Sequence, residues 1–288
     1  MATDPKSKDQ IFYLPLSERP PTKACTGLLD TYSHIPKDKL YSHIEAVVSL
    51  PLFNTSTFHL LTPTQRENAW NHYPYPSIGI WTFLDLGLSG NDLPKDDEER
   101  VQAYKTTYQS ILSKLKNGGK FLDVGCMFAQ DCRKLVFDGA PAESVYGTDL
   151  LGEYFEFGYE LFNDTEVIPR DHFIAGDILA EKLPEGLEAL KGKLDAIFNG
   201  QFLHVFSIED QRKVGVRFVE LLRPEKGVIV VGRCSGHVES GYRGGEVSRI
   251  PPLLLTYLPR SEYGFGNSMG LQIRLARGHA DDVGSIPR

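Results

Sequence analysis

The run from Gly119 to Asp131, Gly-Lys-Phe-Leu-Asp-Val-Gly-Cys-Met-Phe-Ala-Gln-Asp, admits few folds. An apolar burst from Phe121 to Val124, with Asp123 inside it, stops at Gly125. Small and apolar residues follow, and a helix-like stretch carries its first charge at Asp131. This reads as a strand, a tight turn and a helix N-terminus. Such a turn brings a nucleotide-like ligand close to the backbone and sets its polar groups beside helix N–H donors.

Two further strand-like bursts end the same way. Ser144 to Thr148 runs into Asp149, and His172 to Gly176 runs into Asp177. In an open α/β sheet, ligands sit outside the carboxyl ends of the strands. A carboxylate about 20–25 residues past the glycine turn stands where a ribose diol is held. The G-x-G-x-x-G that cradles a diphosphate is missing, because Gly125 is followed by Cys126, Met127, Phe128 and Ala129. A dinucleotide-dependent dehydrogenase is therefore the least favoured reading.

Asp-x-Gly, an acid closing the second strand and Asp-Ile closing the third resemble the class I S-adenosylmethionine-dependent methyltransferases. The resemblance implies that Asp123, Gly125 and Cys126 line the methionine end of S-adenosylmethionine. It implies further that Asp149, followed by Leu150, takes the ribose, and that Asp177 and Ile178 flank the adenine. The stretches Tyr73 to Gly79, Phe83 to Leu86, Phe121 to Leu135, Asp138 to Pro141 and Gly158 to Phe162 narrow it. They are similar to fungal secondary-metabolite methyltransferases of meroterpenoid and polyketide pathways. That likeness spans roughly residues 13–233. It implies methylation of a hydroxyl or carboxyl on a hydrophobic small molecule.

The remaining chain fits an α/β, Rossmann-like, doubly wound and mostly parallel sheet under an N-terminal helical cap. Apolar positions recur at helical spacing between Pro36 and Val48, and again from Asp96 to Lys116, where Val101, Tyr104, Tyr108, Ile111, Leu112 and Leu115 share a face. Asn117-Gly118-Gly119 supplies the stop. Strands are expected at 120–124, 144–148, 172–176, 194–198 and 227–231. Helices are expected at 130–137, 154–162 and 210–222, with a short one in 184–191. Strands alternating with helices give a parallel sheet covered on both faces, and right-handed crossovers make it doubly wound. The division follows as a tail and cap over 1–94, a cofactor-binding domain over 95–246, and an atypical segment over 247–288.

Two stretches depart from that pattern. Residues 48–65 are uncharged up to Gln65 and interrupt the cap; residues 247–288 carry two strand-like runs, 253–258 and 271–275, without a helix before them. Both open on Val-Ser, the pair that the first bases of a fungal intron would encode, so retained introns stand beside a divergent loop and tail as readings.

Asn199 and Gly200 follow the fourth strand, where a contact to the cofactor is expected beside the alternative of a simple turn. His204, among Phe202, Leu203, Val205 and Phe206, is the candidate base, since histidine titrates near neutrality. The alternative is a hydrogen-bonded structural ring, and a carboxylate acceptor would need orientation alone. Tyr73, Tyr75 and Trp81 are candidates for the substrate pocket, with cap packing as the other reading.

The formal net charge is −7 without a basic run, which argues against a nucleic-acid surface. The polar start is not a secretory signal, and no apolar stretch approaches the roughly 20 residues of a membrane helix. Four cysteines, without zinc spacing, suit free thiols in a reducing cytoplasm and no bound metal. A homodimer is left open. Besides methyl transfer, a cyclase or isomerase on the same fold and an inactive homologue remain alternatives, because fold does not fix function.

Overall fold

The computed structural model describes residues 16–47, 81–90, 98–235 and 268–274, the last of these by backbone alone. Tyr73, Tyr75, the 48–65 insertion and most of 247–288 lie outside the described residues.

The helices are α1 Lys23–Thr31, α2 Leu40–Val47, α3 Glu98–Lys116, α4 Gln130–Phe137, α5 Glu153–Phe162, α6 Glu185–Glu188 and α7 Ile208–Leu221. The strands are β1 Phe121–Val124, β2 Val145–Asp149, β3 Phe173–Ala175, β4 Ala196–Gly200, β5 Ile229–Ser235 and β6 Ser268–Arg274. They form one sheet in the order β3-β2-β1-β4-β5-β6. The first five are mutually parallel, and β6 runs antiparallel to β5, pairing Val230 with Ile273. The second expected C-terminal run thus joins the sheet as its edge. From β1 the chain winds outward through β2 and β3, then returns to lay β4 and β5 on the other side. The order reverses between β1 and β4, where open α/β sheets bind ligands.

Local chemistry explains the elements. Thr22 caps α1 by accepting the Cys25 N–H at 3.2 Å. Glu98 and Glu99 begin α3 and Lys114 and Lys116 end it, matching charge to the helix dipole. Gly118, at φ +84°, closes α3, and the Gly119 N–H returns to the Lys114 carbonyl at 2.9 Å.

Strand alternation divides the core between the two faces of the sheet. Phe121, Ala196, Phe198, Ile229 and Val231 pack with the buried stripe of α3, with Cys132 and Leu135 of α4, and with Phe155 and Tyr159 of α5. Leu122, Val124, Ile197 and Val230 pack with Leu187 of α6 and with Val214, Phe218 and Leu221 of α7. A third cluster is the cap: Leu28, Leu29, Leu40, Ile44, Trp81, Phe83 and Leu84 close against Met127, Phe128, Tyr154, Phe157, Leu161 and Phe162. The cap therefore sits directly on the loop after β1 and on α5. Short stretches around residue 82 form a 3-10 turn, Thr82–Leu84, entered through Trp81 at φ +60°.

Candidate functional site

A cavity of about 340 Å³ opens at the carboxyl edge of the sheet, over the point where the strand order reverses. Its floor is Asp123 and Gly125 of β1 and its loop, Asp149 at the end of β2 and Leu150 after it, Phe198 and Gly200 of β4, and Arg233 of β5. Gln201, Phe202, Val205 and Phe206 form one side; Thr82, Phe83 and Asp85 of the cap form the ceiling.

The loop from Gly125 to Ala129 is held in an uncommon shape. Gly125, Met127 and Ala129 have φ of +72°, +51° and +52°. Left-handed backbone is strained for residues with a side chain and is kept only where surroundings impose it. Here the Gly125 and Cys126 N–H groups both donate to the Thr148 carbonyl, at 2.8 and 3.1 Å. The Met127 N–H donates to Asp149 Oδ2 at 2.9 Å, and the Leu151 N–H to Asp149 Oδ1 at 3.3 Å. These N–H groups, which the motif suggested would face a ligand, bind the loop to β2 instead. A Cβ at Gly125 would lie 2.4 Å from the Phe202 ring, so any other residue there forces that ring to move.

Four carboxylates line the cavity, Asp85, Asp123, Asp131 and Asp149, against one cation among the described residues, Arg233. Asp123 is buried, and burial, then Asp131 and Asp149, push its carboxyl well above the usual range. Burial also raises Asp149, opposed by the N–H groups of Met127, Leu151 and Leu150. Burial, then Asp123, raises the Cys126 thiol, leaving it a neutral wall. Asp131 Oδ1 accepts the Leu88 N–H at 2.9 Å, and Asp85 pairs with Arg19 at 2.8 and 3.0 Å.

The structure brings Asp123, Gly125, Cys126, Asp149, Leu150 and Gly200 to this cavity. It sets others off its lining. Asp177 is exposed and its Oδ1 accepts the Leu179 N–H at 2.8 Å, while Ile178 is buried in the core on the α6–α7 side. Asn199 takes the opposite face from Phe198 and Gly200, donating to the Val231 carbonyl at 3.2 Å. Trp81 is buried in the cap, with Phe83 between it and Phe128. His204 lies in the Leu203–Val205 turn beside the cavity; burial lowers its pKa, and its Nδ1 has no partner among the described residues.

Sequence reasoning passed over Phe202, Gln130, Asp131, Phe83, Asp85 and Arg233 as lining residues. Arg233 carried a usable signal, since it follows the apolar burst of β5 much as Asp149 follows that of β2.

The arrangement fits S-adenosylmethionine. Carboxylates answer its ammonium, sulfonium and ribose hydroxyls, and Cys126, Met127, Phe202 and Phe206 offer apolar walls. Among the described residues, no group of three His, Cys, Asp or Glu side chains is placed to hold a metal, and no helix is long and apolar enough to cross a membrane.

Residues 12–84 match the meroterpenoid methyltransferase N-terminal domain. The chain is 37% identical over 226 residues to the O-methyltransferase atr3 of Stereocaulon alpinum, covering 78% of this chain and 54% of that one. It is 33% identical over 227 residues to the methyltransferase trt5 of Aspergillus terreus, covering 79% and 69%. It thus spans about half to two thirds of the length of these relatives. A solved S-adenosylmethionine-dependent methyltransferase from Mesorhizobium loti is 21% identical, covering 46% of this chain and 53% of that one at a TM-score of 0.33. By its sequence relationship to trt5 and by the domain at its N-terminus, the chain belongs to the fungal meroterpenoid methyltransferase family.

Proposed function

We propose that this protein transfers a methyl group from S-adenosylmethionine to an oxygen, hydroxyl or carboxyl, of a hydrophobic fungal secondary metabolite. The observation that carries the reading is the acid-rich cavity at the strand-order reversal, with Asp149 and the Gly125 loop on its floor. The cofactor supplies an electrophilic methyl on a sulfonium. The protein's part is to bind, orient and exclude water.

In this reading Asp149 turns its remaining lone pairs to the ribose diol, and Asp123 faces the methionine end. Leu150 borders the adenine side, while Asp177 and Ile178 stand off the lining. Gly200 and Cys126 let the ligand approach the backbone closely. Thr82 and Phe83, from the cap, close over the acceptor, with Trp81 packed behind Phe83. The domain division at about residue 95 follows from this split between cap and floor. His204 is kept as the base for a hydroxyl acceptor, its ring held neutral by burial.

Calorimetric titration of the 288-residue chain with S-adenosylmethionine tests the reading, with Asp149→Ala as control. Micromolar binding lost in the variant is expected. A folded chain that binds nothing would overturn it, and a product of unchanged mass would point to a cyclase or isomerase.

A further inference from the structure

We propose that Arg233 is the receptor for the α-carboxylate of the cofactor's amino-acid end. The inference rests on the cofactor reading of the same cavity and adds a residue that the sequence motif does not include.

Arg233 stands in register with Gly200 across β4 and β5, and both line the cavity. Alternation from Ile229 and Val231 turns its side chain to the α3 side of the sheet, shared by Phe198 and Gly200. The guanidinium packs by Gly87: a Cβ there would lie 3.7 Å from Arg233 Cζ and 3.8 Å from Nη1. Its Nε is buried without a hydrogen-bond partner, and the side chain makes no ion pair among the described residues. Buried polar groups are nearly always satisfied, so an orphaned donor facing a cavity marks where a ligand acceptor belongs.

The charge around it selects the kind of acceptor. Asp123, Asp131 and Asp149 line the same space, with Asp85 already paired to Arg19, so the surround is acidic and does not suit a dianion such as a phosphate. A zwitterion suits it: its carboxylate meets the one cation while its ammonium meets the acids. Gln130 Oε1, also buried without a partner in this lining, is a further acceptor for that ammonium. Asp149 and Arg233 lie on strands three steps apart in the sheet, about 14 Å at the usual strand spacing, and both line the cavity between them. Arginine also suits the task because its planar fork takes a carboxylate through two parallel N–H bonds.

The test compares S-adenosylhomocysteine, which has the amino-acid end, with 5′-methylthioadenosine, which lacks it. Binding of each to the full chain and to Arg233→Met and Arg233→Lys is measured by calorimetry, with thermal unfolding to verify folding. The Met variant should weaken S-adenosylhomocysteine at least tenfold and leave methylthioadenosine unchanged; the Lys variant should recover part of the loss. The wild-type chain should also bind decarboxylated S-adenosylhomocysteine at least tenfold more weakly than the parent, a result that requires no variant to fold. An unchanged S-adenosylhomocysteine affinity in both variants, or an equal loss for both ligands, would overturn the assignment while leaving the cofactor reading intact. A wild-type chain that binds neither ligand would overturn both.

Discussion

Arg133 and Asp164 meet in two hydrogen bonds, Nε to Oδ2 at 2.8 Å and Nη2 to Oδ1 at 3.0 Å, with both side chains closed to solvent. The pair joins three parts of the molecule. Arg133 Nη1 donates to the Phe128 carbonyl at 2.7 Å, holding the strained loop after β1. The Tyr32 hydroxyl, from the cap, donates to Asp164 Oδ2 at 2.8 Å. The rings of Tyr159, Phe162 and Phe173 lie within 5.2 Å of the guanidinium carbon. A buried ion pair contributes little net stability, but removing one partner strands a charge in a low-dielectric interior.

Arg133→Met and Asp164→Asn should each destabilise the fold by about 3–5 kcal/mol, and Tyr32→Phe by about 1–2 kcal/mol. Denaturant titration checks this. A smaller loss in Asp164→Asn than in Tyr32→Phe would show that the pair is not the anchor.

Gly125→Ala should abolish tight cofactor binding, through left-handed backbone strain of about 1–2 kcal/mol and collision with the Phe202 ring. Adding Phe202→Ala should relieve the collision and not the strain, so affinity should recover in part. Recovery is judged against Phe202→Ala alone, since that ring also lines the cavity; a double variant no better than Gly125→Ala, with Phe202→Ala alone still binding, would place the defect in the backbone.

Asp123→Asn should raise the melting temperature of the ligand-free protein by a few degrees while weakening cofactor binding. Burial raises the folded-state pKa of Asp123 above its unfolded value, so the native state binds the extra proton and stability falls as pH rises through that window. The amide removes the dependence. Melting curves from pH 4 to 8 on both proteins decide it; parallel curves would contradict the expectation.

Affinity for S-adenosylmethionine should rise with pH over the range in which Asp123 and Asp149, both raised by burial, lose their protons. A cationic ligand favours the charged carboxylates, so binding releases protons. Neutral 5′-methylthioadenosine should show a flatter profile. Calorimetry in buffers of different ionisation enthalpy counts the protons directly.

His204→Ala separates the two acceptor classes. With a hydroxyl acceptor, loss of a general base lowers kcat by about 100-fold or more. With a carboxylate acceptor, kcat should stay within a few fold. Burial depresses the folded-state pKa of His204 below 6.5, so the stability this neutral ring permits is present above that pH and lost as pH falls below it. The alanine variant should be less sensitive to acid.

The sheet was legible because β1, β2 and β5 are apolar bursts with polar ends, and their observed bounds differ from expectation by a residue or two, or by four at the end of β5. Gly125 and Asp149 were legible for the same reason: each sits where a burst stops. Asn199 and Gly200 looked equivalent in sequence, yet strand parity sends one to each face, and the end of β4 lies two residues beyond its expected position. Asp177 and Ile178 follow a three-residue strand that ends early, which leaves one exposed and the other in the core. Arg133 gave no signal at all. A charged residue on a short helix reads as a solvated face, and only its partner 31 residues downstream accounts for its burial. The cap wall at 82–85 was legible only through the family-like stretch Phe83 to Leu86, and nothing in its pattern marked it as lining a cavity.

The cavity has a floor and a ceiling drawn from different stretches of chain. In the proposed reading the floor, from Asp123 to Arg233, meets the methyl donor. The ceiling, Thr82 and Phe83, lies inside the N-terminal stretch that carries the meroterpenoid family domain. In that reading one surface can change while the other stays as it is. A pathway that acquires a new acceptor needs changes in the roof, and grafting the first 84 residues of a relative onto this floor should carry that relative's preference with it.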